Sequence, residues 1–119
     1  MNETQTAPPR MDALEHGTEA GIDWATVRAP LYGAVNGYVR IPEGHPWHGL
    51  DYDDIDTEAP GGLTFASDGW IGFDTLHGWD FWPGSPAWSR SEHSHHWTEA
   101  EVADEARALA RRAAEAVSA

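Results

Sequence analysis

Residues 62–74 read GLTFASDGWIGFD, and one dipeptide inside them sets the architecture. Asp68-Gly69 lies between two short segments rich in β-forming residues. It is a pair suited to a two-residue hairpin whose central residues both take positive φ. Folding the segment about that turn predicts a hairpin over 63–74 in which Ala66 faces Ile71 and Thr64 faces Phe73. On the opposite side Ser67 meets Trp70, and Phe65 lies across from Gly72, where a ring has room. Leu63 then pairs with Asp74, which closes the strand.

Working outward, LYGAVNGYVRI (31–41) has two readings. Asn36-Gly37 is itself a hairpin dipeptide. Alternatively Val35, Val39 and Ile41 share one face of a single strand that runs through Gly37. The single strand is preferred, because each half of the rival hairpin is short. Residues 42–62, rich in Pro, Gly, His and Asp, predict a long irregular loop, a kind of segment that tends to be functional or mobile. Residues 75–97 return to loop character. At Thr98 the period changes. Thr98 and Glu101 form a capping box, and Val102, Ala106, Leu109, Ala113 and Val117 make an apolar stripe at helical spacing over 98–118. Acids cluster in the first turns and Arg107, Arg111 and Arg112 lie further along, as the helix dipole favours. The stripe is rich in alanine, so the helix packs closely and buries little area.

Residues 1–21 are polar and contain Pro8, Pro9, Gly17 and Gly21. They read as a flexible leader with a short helical turn near 12–16, followed by a single domain over 22–119 that begins where Trp24 docks. The expected fold class is α+β: a small antiparallel sheet built on the 63–74 hairpin, a long acidic loop, and one C-terminal helix packed on the sheet.

The charge pattern narrows function. The chain of 119 residues has 20 acids against 7 cations, all arginine, for a formal charge of −13. From Ile41 to Ser89 there is no arginine or lysine. That span carries nine carboxylates: Glu43, Asp51, Asp53, Asp54, Asp56, Glu58, Asp68, Asp74 and Asp80. Without a basic footprint the chain does not bind nucleic acid directly, and anionic membrane surfaces are disfavoured likewise. The absence of cysteine excludes disulfides, thiolate metal sites and cysteine nucleophiles. The N-terminal residues lack the apolar core of a signal peptide, and no apolar run reaches the length of a spanning helix. The expected location is therefore cytoplasmic, as a monomer or small homo-oligomer.

Three constellations could carry chemistry. The run DYDDIDTE (51–58) lacks the glycine and spaced ligands of an EF-hand loop. It reads either as a solvated acidic loop or as a negative lip that docks a basic protein surface, with Tyr52 and Ile55 as apolar anchors. His45 and His48, in GHPWHG, and Asp74, His77 and Asp80, in DTLHGWD, are ligand types for zinc or manganese. Neither triplet matches an established metal motif, and polar residues of these types also cap turns in loop-rich folds. His93, His95 and His96 read as a solvated linker. Seven tryptophans are many for this length; three or four belong to the core, while Trp79 and Trp82 are expected to be exposed. No serine sits in a nucleophile-elbow context, and there is no lysine for Schiff-base or phosphate-loop chemistry.

The stretches GYVRIPEGHPWHGLDYDDID (37–56) and GGLTFASDGWIGFDTLHGWDFWP (61–83) resemble a family of small proteins from actinobacteria and the phages that infect them. The shared pattern is G-Y-V-x-[IV]-P-x-G-H-P, then G-G-[LI]-T-[FY], then G-F-D-x-x-H-x-x-D. The resemblance covers about a third of the chain. It implies a phage-associated accessory role and draws attention to His45, Asp74, His77 and Asp80. It carries no established activity, so it transfers no catalytic residue. The sequence thus points to a non-catalytic binding protein, a phage-derived modulator of a host protein, that engages a basic surface through Glu43, Asp51, Tyr52, Asp53, Asp54, Ile55, Asp56, Trp79 and Trp82. No cofactor is expected. The alternative is a metal-dependent hydrolase or ligand-binding domain built on His45, His48, Asp74, His77 and Asp80.

Overall fold

The computed structural model describes residues 6–29, 34–75 and 97–118. Five antiparallel strands form one sheet in the order β1-β2-β3-β5-β4, and one helix packs across it. The strands are β1 (Glu15–Glu19), β2 (Ile22–Arg28), β3 (Val35–Arg40), β4 (Phe65–Ser67) and β5 (Trp70–Phe73); the helix is α1 (Glu99–Ser118). This is the α+β class the sequence predicts. No helix among the described residues is long and apolar enough to cross a membrane.

The β4–β5 hairpin has the expected register: Phe65 pairs with Gly72, Ala66 with Ile71 and Ser67 with Trp70. Asp68 and Gly69 hold φ of 55° and 81°, the left-handed pair that a type I′ turn needs. The ladder is shorter than expected. It ends at Phe65, and the Thr64 amide donates to the Gly72 carbonyl at 2.9 Å. Between Ala34 and Ile41 the chain is one strand, not a second hairpin. The reason lies across the sheet. A Cβ on Gly37 would sit 2.4 Å from the Phe73 ring, and one on Gly72 would sit 2.5 Å from the Tyr38 ring. Each glycine makes room for an aromatic on the neighbouring strand. It is therefore Tyr38 that occupies the space over Gly72, and Phe65 meets Tyr38 edge-on at 5.2 Å.

Residues 15–19 depart from the expected leader. They pair with β2 through the tight turn at Ala20-Gly21, with Glu19 opposite Ile22 and Glu15 opposite Thr26. The folded region therefore begins before Ile22, and Asp12–His16 makes no helical turn. The strand EHGTE is polar because it lies at a sheet edge, where backbone pairing to β2 supplies the stability that apolar alternation supplies elsewhere. Ala7 and Pro8 are buried, and Met11 and Ala13 pack with Ala25, Val27, Tyr38 and Trp70 on the sheet face away from α1.

The main core lies between the other face and α1. Trp24, Val39, Ile41, Ile71 and Phe73 meet Val102, Ala103, Ala106, Leu109, Ala110 and Ala113. The capping box forms as predicted: the Glu101 amide donates to Thr98 Oγ1 and the Thr98 amide to Glu101 Oε1, both at 3.1 Å. The stripe rotates, however. Ala103 and Ala110 are buried, whereas Val117 is 59% exposed. Burial raises the Tyr38 phenol above its usual range; a side-chain hydrogen bond with Asn36 opposes this and the Asp74 charge adds to it.

Candidate functional site

The segment after β3 leaves the sheet at Ile41 and returns at Phe65. It is tied to α1 at two places and is largely exposed between them, except where Ile55 enters the main core. At its root His45 is buried. The Trp47 amide donates to His45 Nδ1 at 2.9 Å, which leaves Nε2 as the donor to the Ala113 carbonyl at 2.8 Å. At its far end Arg112 donates to the Glu58 carbonyl at 3.1 Å and sits 3.8 Å from its carboxylate. Both ties run to α1, so the helix positions the loop.

Between the ties, Asp51 precedes one 3-10 turn, Tyr52–Asp54. The Asp51 backbone caps the turn, yet its side chain makes no capping hydrogen bond and is exposed. Glu43, Asp51, Asp53, Asp54 and Asp56 are all exposed. The ion pairs among the described residues go elsewhere. Arg28 holds Glu99, Arg107 holds Asp104, Arg111 holds Glu19 at 3.2 Å, and Arg112 takes Glu58. Arg107 also lies over the Trp24 ring at 4.9 Å. The arginines within or beside α1 are thus engaged in fastening the helix, and none of these pairs includes the five loop acids.

The apolar anchors differ from expectation. Ile55 is 7% exposed and belongs to the main core, so it presents nothing to a partner. Leu50 takes its place: at 39% it is exposed together with Tyr52 at 42%. The fold turns one inward and the other outward because the 3-10 turn rotates the chain between them, a change no periodic pattern announces.

The metal constellation fares differently residue by residue. His45 has both ring nitrogens engaged by backbone groups, which gives it a structural role in place of the ligand role. His48 is exposed and lies beside Gly69. Asp74 is half-buried after β5, close enough to Tyr38 for its charge to act on the phenol. Among the described residues no three His, Asp or Glu side chains gather in a metal-holding group. His77 and Asp80 lie outside the described residues, as do Trp79, Trp82 and the histidines at 93, 95 and 96. Trp88 lies outside them too; of the remaining tryptophans, Trp24 and Trp70 are buried, while Trp47 and Trp97 pack partly buried against the main core.

One feature of this region escaped the sequence reading. Where the loop passes the β4–β5 turn, Trp47, Leu50 and Asp51 face Ser67, Asp68 and Ile71 across a cleft of about 150 Å³. Asp68 had signalled a turn, and nothing in its local context pairs it with Asp51. Compared with protein-family models, with curated proteins and with solved structures, the chain matches none.

Proposed function

We propose that the protein is a small acidic binding module that engages a basic surface of another protein, in the cytoplasm, through the loop between β3 and β4. A phage-derived modulator of a host protein would act in this way. One observation carries the reading: five exposed carboxylates take no part in the ion pairs among the described residues, and two exposed apolar side chains stand among them. Carboxylates at such a rim steer a cationic partner and set orientation, while Leu50 and Tyr52 supply the desolvated contact that holds it. The excess of negative charge disfavours direct contact with nucleic acid, so a protein that itself binds nucleic acid is the natural class of target.

The test is affinity capture from a host lysate with the wild type and with Asp53→Asn plus Asp54→Asn. A second variant, Glu105→Gln plus Glu115→Gln on α1, removes the same charge at another place. The proposal expects a partner that elutes as salt rises and binds about tenfold more weakly to the loop variant, with the helix variant unchanged. Equal retention by the loop variant, or equal loss in both, would overturn it.

A further inference from the structure

We infer that the cleft between the loop and the β4–β5 turn receives one arginine side chain of the basic partner. The inference rests on the proposed reading and narrows it to a residue type. At about 150 Å³ the cleft is smaller than the roughly 300–1,000 Å³ of small-molecule sites. It holds one long side chain and not a metabolite. Its composition then selects which. Every charged group on its wall is a carboxylate, Asp51 from the loop and Asp68 from the turn. Asp68 is steadied by the Ser67 hydroxyl, which donates to Oδ2 at 2.9 Å. The rest of the wall includes Trp47, Leu50, Ala66, Trp70, Ile41 just after β3 and Ile71 within β5, an aromatic and aliphatic lining.

Acceptors on two elements, an indole and an apolar floor together suit a planar, forked cation on an aliphatic stem. A guanidinium reaches two acceptors at once and stacks on an aromatic face, whereas an ammonium is a compact and strongly hydrated point charge. The positions of the acceptors are also set independently of each other. The 3-10 turn fixes the backbone at Asp51 and the hairpin fixes it at Asp68, so the walls of the cleft exist before the partner arrives and only the Asp51 side chain has to settle. That pre-organisation lowers the ordering cost of binding.

The test is an NMR titration of the full-length protein with a blocked Ala-Arg-Ala tripeptide, following the Trp47 indole N–H as assigned by Trp47→Phe. The lysine tripeptide and the citrulline tripeptide, which keeps shape without charge, serve as comparisons. The expected result is a saturable shift with arginine, at least about tenfold weaker with either comparison, and about fivefold weaker in Asp68→Asn. Asparagine tolerates the positive φ of that turn position, so this variant keeps the hairpin. An absent or non-saturating shift, an equal response to lysine or citrulline, or indifference to Asp68→Asn would overturn the arginine site. These failures are distinct from failure of the acidic lip. Partner capture that still depends on Asp53 and Asp54 while the tripeptide fails removes the cleft alone.

Discussion

The acids around α1 and the acids of the loop have the same chemistry and opposite fates. Glu19, Glu58, Glu99 and Asp104 each stand beside an arginine, at the junctions where helix meets strand, loop or its own next turn. Glu43, Asp51, Asp53, Asp54 and Asp56 project from the loop and are absent from those pairs. Exposed pairs of this kind contribute little each, about 0–1 kcal/mol. Their consequence is in allocation: cations engaged at the framework are not available to cancel the loop. The comparison teaches that the molecule separates a part that holds shape from a part that holds potential, and that His45 and Arg112 join the two.

The largest disturbance of the framework should come from Leu109→Ala. Leu109 is fully buried under the sheet, and its truncation should cost about 3 kcal/mol by urea denaturation. Val117→Ala, at the exposed end of the same stripe, should be near neutral.

His45→Ala tests the joint itself. It strands the Trp47 amide and removes the bond that ties the loop to the Ala113 carbonyl of α1, and should cost about 2 kcal/mol. Hydrogen exchange should rise in residues 43–50 while the β4–β5 hairpin stays protected.

A smaller change of opposite sign is expected at Ala20, which holds φ of 53° in the β1–β2 turn. Ala20→Asn should raise stability by about 0.5–1 kcal/mol, because asparagine enters the left-handed region more readily. A loss of stability would show that β1 is not held by that turn.

The smallest effect on stability should be that of Asp53→Asn plus Asp54→Asn, within about 0.5 kcal/mol. If this variant unfolds the domain, the division between shape and potential is wrong.

How much of this was legible depended on how local the cause was. Asp68-Gly69 dictates a hairpin through the backbone conformations of its own two residues, so the register of Phe65, Ala66 and Ser67 followed from the text alone. Thr98 and Glu101 satisfy each other's amides three residues apart, and the helix start was equally readable. The edge strand 15–19 was not readable. Its residues carry no alternation, and its turn uses alanine where asparagine or glycine would have signalled it. Ile55 and Leu50 exchanged roles because the loop has no period from which to read facing. His45 looked like a ligand in sequence, since its two partners are a neighbouring amide and a carbonyl 68 residues away.

By itself the sequence determined the α+β class, the hairpin at 68–69, the capped helix and the concentration of acids in the middle of the chain. Each arises from torsional preference, periodicity or composition, which act over a few residues. Tertiary structure alone decided which acids meet arginine, which apolar side chain of the loop faces out, and that Asp51 and Asp68 share one cleft. Those outcomes need groups far apart in the chain to be brought within a few ångströms. Packing of α1 against the sheet does that, and no short stretch of sequence encodes it.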